Sequence, residues 1–437
     1  MKVVILAAEE QEAGRPKALI RLCGIPLARR LLHTFRAADL RDVIVVTGPD
    51  GRAVREALGD GADLGMRLAY VGSEETFPVK RLEAMLDGPF LVVEGNYVLD
   101  DRILRRLAER EGMAIAYDSR AKGGLRVAVE EGKVTALSPS GGDGAYVGAC
   151  RCLPDVLSHF KGRDWAASLA EAVRSFDFAA LDVAEIEPYV AEIRRELPTL
   201  WFRIESREDA ERCKRALVEG AQKRTLDVLA WYFNRPIENW ITYHIADLPI
   251  TPNQMSVLTY LVAFGVTALL LAGKLLPAAL ICFAVNVMDG LDGKLARVKG
   301  MASKLGQLEH SFDLLYEQSW YMALAWAVHR LRGDLLPLAI GFAALLFDSF
   351  ARHVSMQFRQ VMGVALADYA PFDRLFRRFD GRRNIYSIYI LLGAIFGVPI
   401  YALAAIAGHA FVTGAVYVVR AAKHLRDADR GVAFRER

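Results

Sequence analysis

Two regimes of hydrophobic patterning divide the chain. Up to about Ala230, apolar residues come in short runs or at helical spacing among charges. Beyond about Met255 they come in long stretches. In the first regime, Lys2–Ala8 (KVVILAA), Asp42–Gly48 (DVIVVTG) and Phe90–Asn96 (FLVVEGN) are short, Val- and Ile-rich runs. That is the form of strands buried on both faces of a parallel sheet. Ile25–Ala38 and Pro78–Gly88 between them carry apolar residues at helical spacing. Alternation of the two predicts an α/β domain, Rossmann-like in layout, with helices on both faces of a parallel sheet. Ligands of such sheets bind beyond the carboxyl ends of the strands, here after Ala8, Thr47 and Val93.

In the second regime, apolar runs approach the roughly 18 residues that suffice to span a bilayer. Six transmembrane helices fit with soft edges: Ser256–Ala272, Leu275–Gly290 with a helical extension to about Lys299, Gly306–Val328, Leu335–Met356, Ile385–Val398, and a last one from Pro399 to near Val419. Between the regimes, Ser206–Phe233 is charged and helical in period and suits a connecting helix. Asn234–Gln254 mixes Trp240, Ile241 and Tyr243 with polar residues, as a helix lying in the membrane interface does. Pro249 and Pro252 end it. The expected division is a soluble domain over residues 1–205, a juxtamembrane connection over 206–252, and an all-α membrane domain with a tail over 253–437.

The chain has 437 residues, 53% hydrophobic, and a formal charge of +3, too small to argue for a nucleic-acid partner. Charge placement says more. One set of connections holds Lys294, Arg297, Lys299, Lys304, Arg352, Arg359, Arg374, Arg377, Arg378, Arg382 and Arg383, and the tail adds Arg420, Lys423, Arg426 and Arg430. The opposite side holds Lys274, Arg330 and Arg332. The positive-inside rule then puts the soluble domain and both termini in the cytoplasm. Five scattered cysteines show no metal or disulfide pattern, which fits reduced, cytoplasm-facing thiols. The opening residues lack the apolar length of a signal peptide.

Within the apolar half, four carboxylates stand close together: Asp289, Asp292, Glu309 and Asp313. Acids near a bilayer are costly and mark partners or tasks. Asp289 and Asp292 are three apart, Glu309 and Asp313 four apart, so each pair shares a helix face. Two antiparallel helices can aim both pairs at one point, where the repulsion calls for divalent cations. Oxygen ligands select hard ions such as Mg²⁺ or Mn²⁺. An ion pair of that kind suits phosphoryl displacement.

The stretch resembles the CDP-alcohol phosphotransferase signature. Asp289, Asp292, Gly293, Ala296, Arg297 and, after eight residues, Gly306 stand in its order. The third acid is expected at His310, but Glu309 comes one residue early, and Asp313 follows four later. One residue turns a helix by about 100°, so the turn near Gly306 must absorb the slip. Thr251 and Pro252, before the first span, also look like this family. The resemblance implies two divalent metals held by Asp289, Asp292, Glu309 and Asp313. It implies a CDP moiety bound by Gly293, Ala296, Arg297, Gly306, Thr251 and Pro252, with Asp313 as general base toward an acceptor hydroxyl. Arg382 and Arg383, opening the fifth span, suit an anionic acceptor such as a phosphorylated polyol or a lipid. Membrane lipids are further partners, and a homodimer is expected.

The soluble half resembles nucleotidyltransferases that join a nucleoside triphosphate to a sugar phosphate, through Val3–Ala8 and the PKAL element at Pro16–Leu19. It departs where a phosphate cradle needs glycine: Glu9 takes the first glycine's place, with Glu10 and Glu12 beside it. A carboxylate about 4 Å from a phosphate oxygen repels it by about 4 kcal/mol at an effective dielectric near 20. That is roughly a thousandfold in affinity. Asn96 and Tyr146 stand where metal-binding acids are expected, while Lys17 is left to hold a phosphate. The loop therefore reads as an impaired catalyst, with Arg15, Glu94 or Asp100 as substitutes if activity survives. The two halves in this order resemble the bifunctional inositol-1-phosphate cytidylyltransferase/di-myo-inositol-phosphate-phosphate synthases. Other readings stay open: both activities intact, a phospholipid synthase using CDP-diacylglycerol, or a membrane-anchored binding protein.

Overall fold

A computed structural model describes residues 1–431, apart from 11–13, 49–50, 73–77, 161–164, 191–192, 224–226 and 304. Glu12 of the expected cradle and Lys304 of the basic set lie outside the described residues.

The first half is built on a nine-stranded sheet. In chain order its strands are β1 (Lys2–Ala7), β2 (Asp42–Thr47), β3 (Arg67–Gly72), β4 (Phe90–Glu94), β5 (Met113–Asp118), β6 (Arg126–Glu130), β7 (Lys133–Ser138), β8 (Gly144–Cys152) and β9 (Phe178–Asp182). Their spatial order is β3-β2-β1-β4-β8-β5-β9-β7-β6. The three apolar runs are β1, β2 and β4, and they pair in parallel. The sheet as a whole is mixed. β8 runs antiparallel between β4 and β5, and β6 and β7 form a hairpin. The hairpin follows from Glu131-Gly132, whose φ values of +49° and +77° suit the tight turn that matches strand twist.

Helix α1 (Leu27–Ala37) packs Leu31, Leu32 and Phe35 with Val3, Ile5 and Val43 on one face of the sheet. Val4, Ile44 and Val92 meet Phe160 and Leu169 on the other. Alternate residues of a strand point to opposite faces. Two buried faces therefore explain why β1 and β2 are apolar at successive positions.

The helix expected over Ser206–Phe233 stops at Gly220, and the helix expected after it follows as a separate one. The first, α2 (Arg207–Gly220), starts at a Ser206/Asp209 capping box. Helix resumes through a π-helical turn at Ala230–Asn234 into α3 (Arg235–Ile245). Trp231, Tyr232, Phe233 and Trp240 are exposed, as an interfacial helix requires. Ile241 and Tyr243 turn inward instead, and the Tyr243 hydroxyl donates to Glu211 of α2.

Among the described residues eight helices follow, two of them short (Leu366–Tyr369 and Pro371–Phe376) and six longer: α4 (Pro252–Leu271), α5 (Leu275–Lys299), α6 (Glu309–Arg332), α7 (Leu336–Met362), α8 (Arg383–Ile395) and α9 (Pro399–Asp429). The longer six overlap the six stretches expected to span. Among the described residues, four of them (α4, α5, α7 and α9) are long and apolar enough to cross a membrane. α6 interleaves Glu309, Asp313 and Glu317 with its apolar positions, and α8 has 13 residues. A 3-10 turn at Leu305–Leu308 precedes α6.

The halves are packed together. Leu22, Cys23 and Leu27 share a core with Cys213 and Val218 of α2 and with Leu291, Leu295 and Val298 of α5. Arg30 donates to the Val298 carbonyl (2.7 Å), and Lys299 to the carbonyls of Leu248 and Ile250 (2.7 and 2.9 Å). The soluble half thus sits on the end of α5 that carries the acids.

Candidate active site

α4 packs against both α5 and α6, and α8 against α5. Between them lies a cavity of about 420 Å³. Asp289, Glu309 and Asp313 line it, as do Gly293 and Arg297. Asp292 lies behind this wall, 2% exposed. Its carboxylate accepts from the Ser256 hydroxyl of α4 and from the Gly293 N–H, both at 2.6 Å. Asp289 accepts from the Tyr316 hydroxyl at 3.1 Å, and the Arg383 guanidinium donates to both of its oxygens. Glu309, His310 and Asp313 hold potential ligand atoms within 4.8 Å of one another. His310 Nδ1 is 3.5 Å from Asp313 Oδ2, while Asp313 Oδ1 is buried without a partner. Hard oxygen donors with one atom left unsatisfied fit a divalent cation of the Mg²⁺ or Mn²⁺ kind.

The basic residues sort differently from their positions in the chain. Lys294 pairs with Glu238 (2.9 Å) and Asn239 (2.6 Å) of α3 rather than with any of the four acids. Arg297 Nε donates to the carbonyl of Ala221 at 2.7 Å. The strong partner of an acid is Arg383, which also reaches Glu317 at 3.3 Å. Arg382 is held by Asp380 at 3.2 Å. Both arginines line the cavity. Arg352 pairs with Asp348 at 2.9 Å and with Glu317.

Several expected donor contacts lie elsewhere. Thr251 and Pro252 build the start of α4. Thr251 caps it reciprocally with Gln254, and Pro252 takes the first turn, where a missing N–H costs nothing. Neither lines the cavity, and neither do Ala296 and Gly306. The Gly306 N–H donates to Ser303 Oγ at 3.1 Å.

Other lining residues were passed over in the sequence. Glu317 is buried, four residues beyond Asp313 on the same face, so helical spacing alone could have found it. His310 was passed over because an acid was sought at its place. Lys223, Asp227, Asn234 and Glu238 of the connection, and Arg194 of the first half, also line the cavity. No local spacing carries that signal.

At the strand ends of the first half, Lys17 is paired with Glu9 and lies 3.5 Å from Glu205. Asn96 is 2% exposed, with both amide atoms unpartnered, and Tyr146 is buried with a lone hydroxyl. Burial pushes the Tyr146 phenol well above its usual range. Asp100, the suggested substitute acid, caps a helix and binds Arg102.

Residues 249–364 match the CDP-alcohol phosphatidyltransferase family. The chain is 27% identical over 445 residues to a bifunctional IPC transferase and DIPP synthase of Rubrobacter xylanophilus, covering 96% of this chain and 94% of that one. The protein of the same description in Archaeoglobus fulgidus is 26% identical, with 90% of this chain and 79% of that one covered. Among solved structures, the inositol-1-phosphate CTP transferase from T. maritima matches with a TM-score of 0.39 and 16% identity, over 48% of this chain and 90% of that one.

Proposed function

We propose that this chain, which carries a CDP-alcohol phosphatidyltransferase domain, moves a phosphoryl-alcohol group from a CDP-alcohol to an acceptor hydroxyl and releases CMP. The group is of the inositol phosphate type, as the names of the relatives from Rubrobacter xylanophilus and Archaeoglobus fulgidus suggest. The observation that carries the reading is one cavity lined by Asp289, Gly293 and Arg297 of one helix and Glu309 and Asp313 of the next, all inside the matched segment.

In the reaction, an oxygen–phosphorus bond forms between the acceptor hydroxyl and the β-phosphorus of the donor. The bond from that phosphorus to CMP breaks, and the hydroxyl proton passes to Asp313. Asp313 suits that task because a carboxylate oxygen buried without a partner is free to take a proton. Asp292 stays fixed by Ser256, and Arg383 holds the Asp289 carboxylate in place. Bound divalent cations, held by Asp289, Glu309 and Asp313 at the cavity wall with Asp292 set behind them, would neutralise charge on the phosphoryl oxygens. Arg297 and Arg382 offer guanidinium forks to phosphate. Gly293, with no side chain, leaves room beside the Arg297 guanidinium, which would lie 3.3 Å from a Cβ there.

Capture of Lys17 by Glu9 and Glu205 supports an impaired first half, since that ammonium is already neutralised. The reading includes an integral membrane protein, homodimeric, with both termini in the cytoplasm.

Purified protein with Mg²⁺, CDP-inositol and inositol 1-phosphate should release CMP. Chelation of the metal should abolish release, and Asp313→Asn should cut it by roughly 100-fold or more, the scale of general-base catalysis. Absence of CMP release with every CDP-alcohol tried overturns the proposal. CTP with inositol 1-phosphate should give no pyrophosphate; a measurable yield would overturn the impaired reading of the first half.

A further inference from the structure

Most cations around the cavity already have carboxylate partners. Arg383 is paired with Asp289, Arg352 with Glu317, Lys294 with Glu238, Arg382 and Arg377 with Asp380, and Arg194 with Asp368. Arg297 and Lys223 differ. Arg297 donates to one backbone carbonyl. The Lys223 ammonium makes no hydrogen bond or ion pair among the described residues, although Lys223 lines the cavity.

The backbone brings these two side by side. Arg297 Nε donates to the Ala221 carbonyl (2.7 Å), and Arg195 of the first half donates to the Gln222 carbonyl (3.4 Å). Two residues of the connection are thus tied from opposite directions, one from α5 and one from the soluble half. Lys223 is the next residue. Burial lowers its pKa, and the nearby Arg297 and Arg194 act the same way, while Glu309 opposes them. A half-buried ammonium beside a guanidinium, neither in an ion pair among the described residues and both within the wider field of Glu309, is costly unless an anion arrives.

We propose that Lys223 is a substrate-binding residue, gripping phosphate oxygens beside Arg297 and extending the cavity's anion site beyond the signature helix. It rests on the cavity's being the transferase site. The phosphate comes either from the donor's diphosphate or from a phosphate monoester on the acceptor. Lys223 lies in the connection, so the position of the soluble half sets the geometry of the membrane site. A first half that makes no nucleotide product would still be needed to hold Lys223 in place.

The test uses the full chain in detergent with Lys223→Met, Lys223→Arg and the unaltered protein. Binding of CDP and of inositol 1-phosphate is measured directly by calorimetry in Mg²⁺. Lys223→Met should weaken one of the two ligands by roughly 10- to 100-fold, as expected for loss of a charge-assisted contact, with an unchanged melting midpoint. Lys223→Arg should recover most of it. Loss for CDP assigns the donor diphosphate; loss for inositol 1-phosphate assigns the acceptor. Equal affinities in Lys223→Met and the unaltered protein, or no binding of either ligand to the unaltered protein, overturn the proposal. Weakened binding by Lys223→Met in a protein that releases no CMP would leave the anion site standing and sink the transferase reading alone.

Discussion

Arg383 joins two helices that the signature treats separately. Its guanidinium engages both oxygens of Asp289 on α5, lies 3.3 Å from Glu317 on α6, and sits 5.4 Å from the centre of the Tyr316 ring. Removing it leaves half-buried Asp289 with only the Tyr316 hydroxyl and buried Glu317 with only Arg352. A broken buried pair typically costs about 3–5 kcal/mol, so Arg383→Ala should lower the melting midpoint clearly. Arg383→Lys keeps the charge but loses the planar fork. It should fold and yet release CMP at least about tenfold more slowly, because Asp289 is no longer held at two points. Melting curves and initial rates on both variants decide this; full activity in Arg383→Lys would show that the fork does not matter. Here the limits of reading spacing are concrete. The pairs Asp289/Asp292 and Glu309/Asp313 were legible because helix periodicity is local. The bond from Arg383 to Asp289 spans 94 residues of chain, and nothing short-range announces it.

At the scale of elements, the apolar runs that became β1, β2 and β4 were legible because burial on both faces leaves a continuous hydrophobic signature. β8 is buried along its whole length but includes Arg151, Tyr146 and four small residues, so its antiparallel insertion was not. The long apolar helices were legible apart from their ends, four of them long and apolar enough to cross a membrane among the described residues. Composition marks where lipid contact stops, whereas a helix continues until a cap or a Gly ends it, as at Gly333 after α6 and Gly363 after α7. Contacts between elements were hidden altogether, and Gly290 shows one. A Cβ there would fall 2.5 Å from the Glu238 carboxyl, which is paired with buried Lys294. Gly→Ala inside a helix ordinarily stabilises by up to about 1 kcal/mol. At Gly290 the sign should reverse, with a loss of about 1–3 kcal/mol from overpacking as α3 is pushed off α5. Gly265→Ala on α4 is the control, since nothing lies within 4 Å of its Cβ position. Opposite shifts of melting midpoint in the two variants are expected; equal shifts would mean that α3 is not seated on Gly290.

On the scale of the whole molecule, the soluble half is a structural part of the membrane half, and the seam between them contains a titratable group. His33 of α1 is 7% exposed, with a buried and unpartnered Nδ1, and its Cβ would lie 3.7 Å from a Cβ on Gly300, the residue that ends α5. Burial, and then Arg36, Arg29 and Arg30, push its pKa down to about 4, with Asp63 opposing. The folded protein therefore resists protonation that the unfolded chain accepts at its ordinary pKa near 6.5. Above pH 6.5 both states are neutral at His33 and the group contributes no pH dependence. As pH falls from about 6.5 towards 4, the unfolded state binds the extra proton and stability drops. The loss is about 2 kcal/mol at pH 5 and about 3 kcal/mol over the full window, at 1.36 kcal/mol per pKa unit. Arg30, one turn away, is the residue that donates to the Val298 carbonyl across the seam. Opening of the seam would let His33 meet water and take its proton, so the docked arrangement should give way first. Melting curves at pH 7 and pH 5, read together with protease cleavage in the connection after α2, test this. The unaltered protein should melt lower and be cut faster at pH 5, and His33→Leu, which cannot titrate, should lose most of that difference. An equal pH shift in His33→Leu would place the acid sensitivity elsewhere and leave His33 as packing alone.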